Sequence, residues 1–188
     1  MAARHLQQRL AAQLDGLTAA PTPRTSALPP SRVQRLADYW QHKRGDRPMP
    51  ARADIDPAEI KPLLPYLLIA DVFADPVRVR YRLAGTAVCE AFGRNIAGRW
   101  LDELEVNGGV PFWVEQYGRL IASRAPVFGR ASGMLADVEL FRADWTLLPL
   151  SSDGLHVDQC LEMEDWTKGH PAADYSDARI VWSVTALP

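Results

Sequence analysis

His156, Asp158, Cys160 and Glu162 alternate along a predicted strand, Leu155 to Met163, so the four side chains share one face. Imidazole, thiolate and carboxylate are donors that zinc accepts. Positions two apart on a strand stand ~6.5–7 Å apart at Cα, however, and four donors from one strand cannot close a tetrahedron. No metal site is expected. The four read instead as a polar sheet face, set opposite the row Arg78, Arg80 and Arg82. Cross-strand charge pairs there would contribute a few tenths to ~1 kcal/mol each. Cys89 and Cys160 have no C-x-x-C spacing and are expected as buried thiols in a reducing compartment. The sequence holds no G-x-S-x-G, H-E-x-x-H, G-x-x-x-x-G-K-[ST] or G-x-G-x-x-G. No catalytic residue is assigned, and the chain reads as non-catalytic, with an enzyme a distant third function.

Aromatic side chains are the remaining candidates for a binding role. Phe92, Phe112, Trp113 and Tyr117 fall in predicted helices, and Tyr81, Phe141 and Trp145 in predicted strands. With Leu83 they are the candidate lining of an apolar pocket of the kind small ligands use. A filled core is the default for such residues, since interiors pack to crystal-like density. Tyr81, Tyr117 and Trp145 are the stronger pocket candidates, because each brings a polar group that must find a partner.

The elements that must position these residues show in the periodicities. Val77, Val79, Tyr81 and Leu83 alternate with Arg78, Arg80 and Arg82, the pattern of a strand with one buried and one wet face. Tyr66 to Phe73 is a second strand, and Ala74-Asp75-Pro76 turns one into the other as an antiparallel hairpin. All four apolar residues of the alternating strand are expected to face the helices. A short helix runs from Ala87 to Phe92, a helical turn covers Leu101 to Leu104, and a longer helix covers Val110 to Arg124. Strands follow at Val127 to Ser132, Glu139 to Leu150 and Leu155 to Met163, the last two joined by a turn at Ser151 to Gly154. Ile180 to Thr185 alternates again and reads as a candidate added strand.

Upstream, Leu6, Leu10, Leu14 and Leu17 mark an amphipathic helix within residues 1–19. Four prolines make residues 20–31 an extended linker. Ser31 caps a helix from Arg32 to Lys43, whose Val33, Leu36, Ala37 and Trp40 share a face and which Gly45 ends. Asp56-Pro57 signals a two-turn helix limited by Pro62 and Pro65. Self-association is expected through Leu6, Leu10, Leu14, Leu17, Val33, Leu36 and Trp40, as an isologous homodimer. Residues 32–166 form the main domain, and 167–188 a tail.

Bulk properties agree with a globular protein. The 188 residues are 47% apolar and 23% charged with net charge −2. Residues 1–53 carry net +6 and residues 54–188 net −8, and an acidic body argues against nucleic-acid binding. No apolar run reaches the ~18 residues of a membrane span, so no membrane insertion is expected. The first residues do not read as a secretory signal, although their acid-free, Arg-bearing character leaves a transit peptide open. A cytoplasmic location is expected.

Two hairpins must share a sheet with helices packed on one face, an α+β layer. The phrases Arg47-Pro48-Met49-Pro50, Asp54-Ile55-Asp56-Pro57, Tyr81-Arg82-Leu83-Ala84-Gly85-Thr86 and Phe92-Gly93-Arg94-Asn95-Ile96-Ala97-Gly98 resemble a bacterial family of stand-alone, single-domain PAS proteins. So does Leu101-Asp102-Glu103-Leu104, and the resemblance covers residues 33–166. It implies a five-stranded antiparallel sheet in the order 2-1-5-4-3, with a cavity between sheet and helices. It also implies a sensory or regulatory module in signalling. Relatives with haem carry an axial His on or near the long helix, and residues 110–124 contain none. Photoreactive flavin relatives carry a Cys where this chain reads Gly93-Arg94-Asn95-Ile96-Ala97-Gly98. Neither cofactor is expected, a non-covalent flavin stays open, and the purified protein is expected to be colourless. The expected function is an adaptor acting through a protein partner; the alternative is a sensor with a small ligand in an apolar pocket.

Overall fold

A computed structural model describes residues 31–104, 106, 109–169 and 178–185. Helix α1 (Arg32–Arg44) starts where the Ser31 hydroxyl accepts a hydrogen bond from the Gln34 amide at 3.1 Å. It ends at Gly45, whose φ of +57° suits a residue without Cβ. The stripe Val33, Leu36, Ala37 and Trp40 is buried, as helical spacing requires.

Strands β1 (Leu67–Ala74) and β2 (Val77–Ala84) form the expected hairpin. The residues before them differ from the two-turn helix foreseen at Asp56. Asp56 Oδ1 does accept the Ala58 amide at 2.8 Å, but the chain forms turns and then a 3₁₀ helix, Lys61–Tyr66. Pro62 and Pro65 supply no amide protons, which suits the tighter helix better than α-helical pairing. Helix α2 (Thr86–Ala91), a 3₁₀ turn at Leu101–Glu103 and helix α3 (Gly109–Ser123) follow. Strands β3 (Val127–Leu135), β4 (Val138–Leu150) and β5 (Gln159–Lys168) come next, and β6 (Arg179–Thr185) ends the described chain.

All six strands pair antiparallel in the order β2-β1-β5-β4-β3-β6. The first five take the expected order, and β6 adds itself beside β3. Register assigns the two faces. Leu68 of β1, Tyr81 and Val79 of β2, Leu147 and Trp145 of β4, and Glu162 and Glu164 of β5 share the face that meets α2 and α3. Ile69, Leu148, Leu161, Met163 and Asp165 point the other way, beneath α1. Arg32 fastens that helix: its amide donates to Asp165 Oδ2 at 2.9 Å and its Nη1 to Oδ1 at 2.5 Å. Trp40 Nε1 donates to the Pro149 carbonyl at 2.8 Å. Thus α2 and α3 take one face of the sheet and the leading helix takes the other.

Three sequence expectations shift for local reasons. A register break at Ile69/Ala70 pairs Ala70 with Tyr81 but Ile69 with Leu83, leaving Arg82 as the extra residue. Val77, Val79 and Tyr81 therefore face the helices, whereas Leu83 turns outward and is 41% exposed. The fifth strand begins at Gln159, not Leu155. Asp153 accepts the amides of Leu155 and His156 at 2.8 Å each and pairs with His156 Nδ1 at 2.6 Å, folding that stretch into a loop. His156 is thus off the sheet, Asp158 precedes β5 with its backbone still bonded to Val72 and Leu150, and Glu162 lies on the face opposite the arginine row. Val33, Leu36 and Trp40, expected in a self-association surface, are 6%, 0% and 2% exposed within the chain's own core. Leu6, Leu10, Leu14 and Leu17 lie outside the described residues, as do the expected N-terminal helix and the linker up to residue 30. Among the described residues, no helix is long and apolar enough to cross a membrane.

Candidate functional site: an acidic, aromatic cavity

The core between the sheet and the helices is not filled throughout. Around Trp145 it is solid. The Phe112 and Trp113 rings lie 5.9 and 5.2 Å from Trp145, edge to face, and Trp182 lies 4.2 and 5.6 Å from the same two rings. Gly129 and Gly133 of β3 make room for this packing: a Cβ on either would stand 2.2 Å from the Trp145 or the Phe141 ring. On the other side of Trp113 the layers part, and a cavity of about 790 Å³ opens between α2 and β5. That volume is in the range of small-molecule sites.

Each wall comes from a different element. Strand β1 gives Leu68, β2 gives Tyr81, α2 gives Ala87, Val88 and Ala91, and α3 gives Trp113. Glu162, Glu164 and Trp166 project from alternate positions of β5, with Tyr66, Phe92, Arg32 and Arg94 completing the rim. Of the sequence candidates, Tyr81, Phe92 and Trp113 stand on the wall. Tyr117 stands one layer behind it, Phe141 and Trp145 lie in the filled core, and Leu83 is on the outer surface.

The two glutamates set the electrostatics. Glu162 is 3% exposed, and its Oε2 accepts a 2.6 Å hydrogen bond from Tyr117 Oη. Burial pushes its pKa from 4.5 up to about 8; the Tyr117 bond opposes the rise and the neighbouring Glu164 charge adds to it. Glu164, half-buried nearer the mouth, is raised to about 7 by burial against the pull of a hydrogen bond from Trp166. Burial, together with the Glu162 charge, also holds the Tyr81 and Tyr117 hydroxyls well above their ordinary pKa. The Cys160 thiol, on the same strand face, is likewise pushed up by burial. Cys89, expected to be buried, is half-buried on α2, with its Sγ 3.7 Å from the Ala84 carbonyl and from Asn95 Oδ1. Near neutral pH the cavity therefore holds two carboxyl groups poised to lose a proton inside an aromatic shell. No group of three or more His, Cys, Asp or Glu that suits a metal ion occurs among the described residues.

Sequence reasoning missed Glu162 and Glu164 as wall residues. Their alternation with Leu161 and Met163 matches a strand with one wet face, and only the layer packed on that face makes it an interior. The signal available was the flanking run of Cys160, Leu161 and Met163, too apolar for an edge strand.

Gly85 fixes the wall formed by α2. A Cβ there would stand 2.3 Å from the carbonyl oxygens of both Leu64 and Pro65. The Gly85 amide donates to Leu67 O at 2.8 Å and its carbonyl accepts the Cys89 amide at 3.0 Å, tying the helix start to β1. Gly85→Ala is expected to cost about 1–3 kcal/mol, because backbone cannot yield as a side chain does. Gly118→Ala is the control in a thermal melt. Nothing stands within 4 Å of a Cβ on that helical glycine, so it should be neutral or stabilising by up to about 1 kcal/mol.

An antiparallel sheet in the order 2-1-5-4-3, roofed by short helices over a cavity, is the architecture of a small sensory domain. The chain matches the family model of the PAS domain over residues 28–161 and belongs to that family. PAS domains are sensory and signalling modules, which is the class of function this fold supports. No curated protein matches the chain, and no solved structure does.

Proposed function

We propose that this PAS domain is a sensor whose signal is a small molecule bound in the cavity between α2 and β5. The observation that carries the reading is the cavity itself: about 790 Å³, walled by Tyr81, Phe92, Trp113 and Trp166, with Glu162 and Glu164 inside and Glu90, Arg32 and Arg94 at the rim. A concave space that combines aromatic surface with convergent polar groups suits a small ligand. A domain working only through its outer surface would be expected to close such a space by packing. Binding would be passed outward through α2 and β5, which the ligand would touch directly, to a protein partner.

The test uses a cavity-filling variant. Ala87 lies half-buried on the α2 wall, and Ala87→Phe occupies the space without disturbing the core around Trp145. Denaturing mass spectrometry of purified full-length protein, with thermal melts in a small-molecule extract, should show a bound compound or a raised melting temperature for the wild type. The variant should show neither. If the wild type carries and gains nothing, or if Ala87→Phe responds equally, the sensor reading fails.

A second reading, an adaptor acting without a ligand, draws on the outer face of the β1–β2 hairpin. There Phe73 and Leu83 are 47% and 41% exposed beside the Arg78, Arg80 and Arg82 side chains. Partner capture that is unchanged in Ala87→Phe and lost in Leu83→Asp would favour it.

A further inference from the structure

We propose that the cavity is selective for a hydrophobic organic cation, an amine or ammonium on an aryl or alkyl body, with Glu162 and Glu164 as its counter-ions. This rests on the reading of the cavity as a ligand site and names the chemistry it selects. Glu162 and Glu164 occupy alternate positions on one face of β5, so ~6.5–7 Å separates their Cα atoms and both carboxyls meet the same space. Among the described residues neither forms an ion pair. Arg32, the cation nearest in the wall, is engaged with Asp165 at 2.5 Å and lies with its guanidinium 4.0 Å from the Tyr66 ring centroid. Arg94 stands exposed at the rim.

A buried carboxyl group without a cation partner is costly once ionised, and a ligand that brings the missing charge removes that cost. An anionic ligand would oppose ionisation of both carboxyls instead of relieving it. The rest of the lining agrees. Tyr66, Tyr81, Trp113 and Trp166 surround the two carboxyls, and aromatic faces attract desolvated ammonium groups. Tyr117 Oη donates to Glu162 Oε2 at 2.6 Å, which fixes the carboxyl in the wall.

Proton balance gives the proposal a signature. The groups around Glu162 are Tyr81 from β2, Tyr117 from α3, Cys160 and Glu164 from β5, and Glu90, Arg94 and Arg32 around the rim. Burial keeps Glu162 protonated near neutrality. When an ammonium group docks with its own proton retained, the Glu162 carboxyl releases its proton to solvent and becomes the partner carboxylate. Binding should therefore release protons from both glutamates at pH 7, and affinity should rise with pH until the amine itself deprotonates.

Calorimetry on the full-length chain, in two buffers of different ionisation enthalpy, tests this with isosteric triplets. The first is 2-phenylethylamine, 2-phenylethanol and 3-phenylpropanoate; the others carry naphthyl and indolyl groups on the same three heads. At least one amine is expected to bind about tenfold or more tighter than its alcohol, with the carboxylate weakest and with proton release. The double variant Glu162→Gln/Glu164→Gln should retain the alcohol and bring the amine to within about threefold of it, without proton release. Equal binding of amine and alcohol in every triplet, or a preference that survives in the double variant, overturns the cation proposal while the ligand site stands. Failure of all nine compounds to bind overturns both.

Discussion

Glu162→Gln should make the protein more stable, by a margin that is small at pH 5.5 and much larger above pH 8. In the folded chain burial raises the Glu162 pKa from 4.5 to about 8. Between those values the native state holds a proton that the unfolded state has lost, so stability falls as pH rises through the interval. Each tenfold change in proton affinity is worth about 1.4 kcal/mol, so the full penalty above pH 8 is about 3–5 kcal/mol. Gln keeps the shape and accepts the Tyr117 hydroxyl, but it cannot ionise. Glu164, raised to about 7, adds a slope of the same sign that the variant retains. Asp54, Glu59, Glu139 and Asp153 have lowered pKa values, from hydrogen bonds and nearby cations. Their contribution is lost as pH falls below the ordinary carboxylate range and is fully present at pH 5.5. Urea denaturation at pH 5.5, 7 and 8.5 separates the cases. The advantage of the variant over the wild type should grow by about 3 kcal/mol between the first and the last. Parallel stability curves would mean that Glu162 ionises freely in the folded protein and would remove the electrostatic basis of the site.

What the sequence made legible follows from the range of each signal. Strand β2 could be read from Val77, Val79 and Tyr81 because a period of two is local, and α1 from Ser31, its apolar stripe and Gly45 for the same reason. The fate of Leu83 could not be read: its face depends on which β1 residue it pairs with, and one extra residue reverses it. Asp153 shows the same limit, since an aspartate that captures two amides pulls His156 out of a strand that alternation alone would extend. The site was harder still. Phe92, Tyr81 and Trp113 were visible as large aromatics, but aromatic identity does not separate a packed ring such as Trp145 from one beside a cavity. Acidic residues on an alternating strand look solvated until α2 and α3 are laid over that face. The α1 stripe posed the same ambiguity, because an amphipathic helix needs a surface and the sequence does not say whose.

Trp40 decides that last question by experiment, because core and interface roles differ in how the loss depends on concentration. Trp40 is 2% exposed, packs under the sheet with Leu36 and Val33, and donates its Nε1 proton to the Pro149 carbonyl at 2.8 Å. Truncation removes the ring contacts, leaves a cavity and frees a buried carbonyl. Trp40→Ala should therefore cost about 3–5 kcal/mol, a large part of a typical domain's stability. Trp40→Phe keeps most of the apolar volume and loses the hydrogen bond, so a cost of about 1–2 kcal/mol is expected. Both losses should be the same at about 2 μM and about 100 μM protein, because dilution acts only on equilibria between chains. The mass measured by light scattering should also be unchanged in Trp40→Phe. A residue at a dimer interface behaves differently: its substitution lowers stability more at low concentration and shifts the mass toward the monomer. That result would place Trp40 between chains, whereas a concentration-independent loss assigns it to the lid that α1 forms over β4 and β5.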